Sequence, residues 1–282
     1  MKRKDCKIFV LYSGSGGNSV FVRVGENAIL IDAGKSARAL CSALNSIGES
    51  IKSIDAIFIT HEHTDHISAL EVISKKNTMP IHITDISAKR FDSCQDSSIH
   101  TSLCRHGVEF CEQVGEMRVL SFRTPHDSRM SVGYRIEFDD DGERFAIGLA
   151  TDIGYITDDI RRNLLGCQAV IIESNHDLEM LRTGPYPYEL KLRVGSKRGH
   201  LSNSECAEFA SELAESGTRN FMLAHLSAEN NRPELAYDEV SSAVSGFGAS
   251  VCVAQPDSPI EFVIGVEDSV YDEREIYNPW NA

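Results

Sequence analysis

The chain has 282 residues, of which 41% are hydrophobic and 25% charged, and a formal net charge of −14. That length and composition suit a globular protein that buries its own core and exclude a disordered or fibrous one. The acidic balance excludes a surface coated with basic groups for nonspecific nucleic-acid binding. No apolar run approaches the roughly 18 residues of a membrane span. The basic start Met1-Lys2-Arg3-Lys4 leads into an apolar stretch too short for a signal peptide, so a cytoplasmic protein is expected. Eight cysteines are scattered without a CxxC pair, which favours reduced thiols.

In chain order, residues 7–12 read as a strand running into the glycine-rich turn Ser13-Gly14-Ser15-Gly16-Gly17-Asn18-Ser19. Strands are expected at 20–24 and 28–32, the latter closing on Asp32, followed by a helix over 36–47 stopped by Gly48. A strand over 54–60 feeds His61-Glu62-His63-Thr64-Asp65-His66, and a helix begins at Ile67. A strand at 80–83 precedes a short helix capped by Asp85. Residues 92–111 have weak periodicity and stay unassigned. Cys94, Cys104 and Cys111 there, beside His100 and His106, are candidates for a metal site but match no zinc module.

Residues 117–122 form a strand ending before His126, and 132–138 with 144–149 form a hairpin around Asp139-Asp140-Asp141-Gly142. Its second strand closes on Asp152. A helix spans 158–165, and the strand at 169–172 ends in Glu173-Ser174-Asn175-His176-Asp177. Residues 182–198 read as a loop carrying Tyr186 and Tyr188. A helix capped by Ser202 or Asn203 follows, then a strand at 220–224 ending in His225, a helix near 234–245 and a strand at 250–254. An acidic tail begins at about 267. No linker or internal repeat appears, so a single domain over 1–282 is expected.

Four apolar strands thus end in metal-type donors: His61 with His63, His126, Asp152 and His225. Imidazole and carboxylate suit Zn²⁺, Mn²⁺ or Fe. His61 and His63, two apart at a strand end, point to one side, while Asp65 and His66 follow a turn and can face a second point. The pattern suggests two metals about 3.5–4 Å apart.

These motifs resemble the metallo-β-lactamase fold. Further runs, including Gly184-Pro185-Tyr186-Pro187-Tyr188, Arg198-Gly199-His200-Leu201-Ser202-Asn203 and Ala224 to Asn231, resemble its YycJ-like (WalJ/VicX) branch from residue 8 to about 265. The resemblance implies an α/β (α+β) class αββα sandwich. It implies that His61, His63 and His126 bind one metal, that Asp65, His66 and His225 bind another, and that Asp152 bridges them. Asp32 would orient a ligand from behind. A hydroxide shared by the metals would attack phosphorus or a carbonyl carbon. His200 and Asp65 are the candidate catalytic groups, His200 by analogy with tRNase Z-like relatives in which a histidine protonates the leaving group. Asn18, Asn175 and His176 are expected to line the pocket.

Between Arg182 and Arg198 five basic residues face one acid, Glu189, so this stretch carries +4 in a −14 chain. With Tyr186, Lys197 and Arg198 it suggests a polyanion whose bases stack on aromatic rings. The branch is associated with 5′→3′ exonuclease action on DNA, so a two-metal phosphodiesterase with a DNA substrate is the expected function. A small-molecule hydrolase of the same fold is the alternative, and a regulatory protein with a degenerate site is a third reading. Oligomeric state is not legible.

Overall fold

Alternation along the strands decides which layer each side chain serves. In β2 (Ser19–Val24), Val20 and Val22 join one apolar cluster and Phe21 another. In β3 (Asn27–Ile31), Ile29 and Ile31 join the first and Leu30 the second. A sheet apolar on both faces must be covered on both. The computed structural model, which describes residues 6–140 and 142–263, satisfies this with four layers.

The first sheet begins with β1 (Cys6–Tyr12), antiparallel to β2, which is antiparallel to β3. It continues in parallel through β4 (Ala56–Phe58), β5 (Ile81–Thr84) and β6 (Leu103–His106). The crossovers hold α1 (Ala37–Ser46), α2 (Thr64–Ile67), α3 (Leu70–Ser74), α4 (Asp85–Ala88) and α5 (Ser97–Ser102). Leu40 and Leu44 of α1 and Leu70 and Ile73 of α3 pack on its outer face. The second sheet starts with three antiparallel pairings among β7 (Cys111–Val114), β8 (Met117–Thr124), β9 (Ser131–Asp140) and β10 (Glu143–Ala150). It continues in parallel through β11 (Ala169–Glu173), β12 (Asn220–Ala224) and β13 (Ser250–Val253). Over its outer face lie α6 (Asp158–Leu164), α9 (Asn203–Glu215) and α10 (Pro233–Val244), while α7 (Leu178–Thr183) and α8 (Tyr188–Val194) lie in the β11–α9 connection. A last strand, β14 (Ile260–Glu261), pairs with β1.

Between the sheets lies a core that includes Val22, Ile29, Ile31 and Phe58 from one side and Val119, Tyr134, Ile136 and Ile171 from the other. This is an αββα sandwich, as the sequence suggests.

Local departures have physical causes. The helix expected from Ile67 is two short ones: α2 begins at Thr64, and the chain turns again at Ser68 and Ala69. Thr84, not Asp85, caps α4, its hydroxyl accepting the Ser87 N–H. Residues 92–111 hold α5 and β6, and β6 is a half-buried edge strand whose weak apolar pattern gives no clear period. The segment 182–198 is not a loop: α7 enters it and α8 crosses its middle. The tail from 267 and Asp141 of the hairpin turn lie outside the described residues. No helix among those described is long and apolar enough to cross a membrane.

Candidate metal centre

The two sheets meet at one edge, where the Thr60 carbonyl after β4 accepts the Val132 N–H of β9 at 3.1 Å. The buried Tyr134 hydroxyl donates to the Ile59 carbonyl at 2.6 Å. Every strand-end donor named from the sequence arrives here. Parallel strands deliver their C-terminal ends to the same side, which is where open α/β sheets place their sites.

Gly34 shows how tightly the edge is packed. A Cβ on it would lie 1.6 Å from the Asp65 carbonyl oxygen and 2.6 Å from the Asn18 nitrogen. Its N–H donates to the Asn18 carbonyl at 2.9 Å, and the Asn18 N–H donates to the Asp65 carbonyl at 2.8 Å. Only a residue without a side chain lets these two loops and the start of α2 close on one another.

Two donor sets result. His61 Nε2 lies 3.0 Å from His63 Nδ1, and the His126 ring lies 5.0 Å and 5.2 Å from those two rings. Asp65, His66 and His225 form the other set, and within each set one ligand atom per residue lies within 4.8 Å of the rest. Asp152 stands between them. Its Oδ1 is 3.8 Å from His126 Nε2 and 3.4 Å from His225 Nε2, and its Oδ2 is 3.4 Å from His66 Nε2.

Asp152 Oδ2 and His225 Nε2 are buried without a hydrogen-bond partner. Buried polar atoms left unsatisfied cost free energy, and a cation between them removes the cost. The donor set therefore fits divalent metal. The electrostatics agree. Burial alone would push the His66 imidazole down, but the Asp32 and Asp152 carboxylates outweigh it and hold it well above its usual value, marking a place that attracts positive charge. Burial and the neighbouring histidines push His61 well below its usual value, towards the neutral form that ligates.

Asp32 is the buried prop behind His66. Its Oδ2 lies 2.8 Å from His66 Nδ1, and its two oxygens accept the Thr60 N–H and hydroxyl, each at 2.8 Å. Such a partner fixes which ring nitrogen faces a metal.

Glu173 was not picked out from the sequence. It ends β11 fully buried, and its Oε1 lies 2.7 Å from His200 Nδ1 and 2.8 Å from His225 Nδ1. Its Oε2 accepts the N–H groups of Ile153 at 2.7 Å and Leu201 at 3.3 Å. Burial opposes charge on both His200 and Glu173, yet each stabilises the other: the His200 imidazole is pushed up to about 9, and the Glu173 carboxyl is pulled below its usual range. Asp127 was also missed. Its Oδ1 lies 3.3 Å from His126 Nε2, and its Oδ2 accepts from Arg193 Nε at 2.6 Å. A signal existed for both: each follows an apolar strand, in the same position as the donors that were recognised.

The expected pocket residues divide. Asn18 is buried, and its amide nitrogen lies 3.0 Å from His66 Nε2 and 3.3 Å from Asp65 Oδ2, among the donors. Asn175 spends its amide on the His225 carbonyl at 2.8 Å, so it holds the loop. His176 is 2% exposed, and its carbonyl accepts the Asn203 N–H at 2.9 Å at the start of α9. Tyr186 is half-buried, whereas Tyr188 on α8 is 73% exposed. The Arg198 guanidinium donates to the His126 carbonyl at 3.4 Å, and the Lys197 ammonium lies 5.7 Å from the Tyr155 ring centre. Glu179 pairs with Arg182 at 2.6 Å and Asp127 pairs with Arg193, so part of the +4 is neutralised from outside the counted stretch.

A family model described as a β-lactamase superfamily domain matches residues 27–226. The chain belongs to the metallo-β-lactamase superfamily. It is 34% identical over 241 residues to exodeoxyribonuclease YycJ of Bacillus anthracis, covering 85% of this chain and 90% of that protein. It is 33% identical over 268 residues to exodeoxyribonuclease WalJ of Streptococcus pneumoniae, covering 94% and 93%. This metallo-β-lactamase family member therefore lies in the YycJ/WalJ branch. The metallo-β-lactamase fold protein YhfI of Bacillus subtilis shares the fold, with a TM-score of 0.69 at 19% identity over 91% of this chain and 100% of that one. Superfamily membership, the relatives' names and the donor clusters make this chain a metal-dependent hydrolase.

Proposed function

We propose that the chain is a phosphodiesterase that degrades DNA as a 5′→3′ exonuclease in the cytoplasm, with two divalent ions (Zn²⁺, Mn²⁺ or Fe). His61, His63 and His126 would hold one ion, and Asp65, His66 and His225 the other, with Asp152 shared. Bound there, the ions supply Lewis-acid activation of water and neutralise charge on the phosphoryl oxygens. Asp32 holds the His66 ring so that Nε2 faces the donor set. Glu173 does the same for His225. His200, kept protonated by Glu173, supplies a proton to the departing oxygen. Lys197 and Arg198, with Tyr186 and Tyr188, meet the phosphate backbone and bases on the side of the site built by α7 and α8.

The observation that carries this reading is the position of Asp152 between two largely buried donor sets, with Arg198 reaching the His126 carbonyl beside them. The relatives' exodeoxyribonuclease names support it. The −14 net charge favours a second reading, a small-molecule hydrolase such as a thioesterase or lactamase. The deciding experiment is metal-supplemented digestion of single- and double-stranded DNA labelled at either end, beside a thioester and nitrocefin. Stepwise release from the 5′ end supports the exonuclease. Turnover of only the thioester or lactam sinks it.

A further inference from the structure

A second gathering of metal-type donors lies away from that centre, where β6 at the edge of the first sheet meets β7 at the edge of the second. His82 on β5 and His106 on β6 face each other, Nδ1 to Nε2, at 3.0 Å. Glu112 on β7 places Oε1 3.7 Å from His106 Nδ1. One ligand atom from each of the three lies within 4.8 Å of the other two. We propose that His82, His106 and Glu112 form a separate structural metal site, selective for a borderline divalent cation such as Zn²⁺, which fastens the two sheets together at their edges.

The donor set suits zinc. With Zn–N bonds of about 2.0–2.1 Å, two imidazole nitrogens on a tetrahedral ion stand about 3.3 Å apart, close to the separation present here. The Glu112 contact is with His106 Nδ1, not the Nε2 that faces His82, so the carboxylate must swing round the ring to meet an ion there, and its side chain, 36% exposed on an edge strand, has room to do so. The imidazoles are also prepared. The Phe58 ring stacks on His82 with centroids 4.6 Å apart, and the Phe110 ring stacks on His106 at 4.1 Å. This column fixes both rings and surrounds them with apolar groups. Burial pushes His82 down to about 4 and lowers His106, so both are neutral near pH 7, as ligands must be.

Of the cysteines grouped with His100 and His106 in the sequence, two point elsewhere. Cys94 donates to Glu71, and Cys111 contacts Arg118. Cys104 differs. It lies opposite His82 in the parallel register and two residues before His106, on the same face of β6. Glu112 is close enough to raise its thiol, after burial. The Cys104 thiol, however, contacts the Ser102 carbonyl at 3.9 Å, so the donor set is the three residues His82, His106 and Glu112, with the fourth position left to water.

The test uses the full chain carrying Asp152→Ala, which weakens the main centre, loaded with zinc and challenged with a graded chelator. The parent retains one zinc per chain that Glu112→Gln releases at lower chelator concentration. The loss in affinity exceeds the roughly 10–100-fold typical of an outer-shell partner. His106→Gln releases the same zinc, and in the native background neither change alters phosphodiester turnover. Glu112 sits half-exposed at an edge, so its variant folds even if a histidine variant does not. Equal zinc retention by the parent and Glu112→Gln overturns the proposal, whatever the reaction at the main centre proves to be.

Discussion

Replacing Glu173 by glutamine tests whether one buried carboxylate organises the catalytic edge. The carboxylate accepts from four donors: His200 Nδ1, His225 Nδ1 and the N–H groups of Ile153 and Leu201. An amide has one oxygen. If that oxygen stays with the histidines, the new NH₂ confronts the two backbone N–H groups; if it turns to the backbone, the NH₂ confronts the two imidazoles. Either way two buried donors lose their acceptor, at about 1–3 kcal/mol each, so the loss is about 2–6 kcal/mol. For a protein of this size that lowers the melting temperature by roughly 5–20 °C. Turnover falls with it, because His200 loses the charge that keeps it protonated.

The same contact sets a pH signature in metal-free protein. His200 titrates at about 9 when folded, above the ordinary value of 6.5, so it keeps a proton that the unfolded chain releases. Its contribution is complete below pH 6.5 and is lost as pH rises towards 9. Calorimetry across that window should show native stability declining with pH and the Glu173→Gln variant declining much less. A variant with unchanged melting temperature and turnover would refute the role given to Glu173.

Asp152→Ala removes the donor common to both sets, so metal at this edge and hydrolysis should both be lost, with total bound metal falling to the one zinc per chain held at His82, His106 and Glu112, read by elemental analysis and a generic phosphodiester assay. His200→Ala should slow turnover while metal content holds; metal loss there would make His200 a ligand instead. Gly34→Ala forces a methyl into the Asp65 carbonyl, 1.6 Å away, and should cost about 1–3 kcal/mol or more by overpacking and depress activity by moving Asp65. Tyr188→Ala removes an exposed ring without disturbing the core. It should raise KM for oligonucleotides by about 5- to 150-fold, the equivalent of 1–3 kcal/mol of base stacking, with bis-p-nitrophenyl phosphate turnover unchanged. Equal effects on both substrates would refute base stacking.

The layers were legible because strand alternation is a local pattern: Phe21 and Leu30 belong to the outer core and their neighbours to the inner one. The donors were legible because a histidine or aspartate closing an apolar strand contradicts the strand's own composition. What stayed hidden depended on distance or shortness. Helices α7 and α8 have 6 and 7 residues, too few to display a helical period beside Gly184, Pro185 and Pro187. The charge of that stretch looked larger than it is because Glu179 and Asp127 lie outside it in sequence yet pair with Arg182 and Arg193. Glu173 resembled any polar residue at a strand end, since its two histidine partners are 27 and 52 residues away.

The backbone records the demands of this edge in a way that composition cannot. Among the described residues, three other than glycine have positive φ: Asp32 at 62°, Asp152 at 54° and His225 at 57°. Each stands just beyond the end of a strand, and each sends its side chain into the donor clusters or their support. The left-handed conformation costs an L-residue about 1–2 kcal/mol, and glycine would avoid it. Glycine carries no carboxylate or imidazole, so the conformation persists where the side chain is required. The surrounding structure supplies the restraint: the Asp32 N–H donates to the Phe58 carbonyl at 2.8 Å, and the His225 N–H to the Ser13 hydroxyl at 2.7 Å. Strain of this kind survives only where neighbours over-determine it. Its confinement to three residues of one site is independent of the donor chemistry, and it marks the same edge of the sandwich.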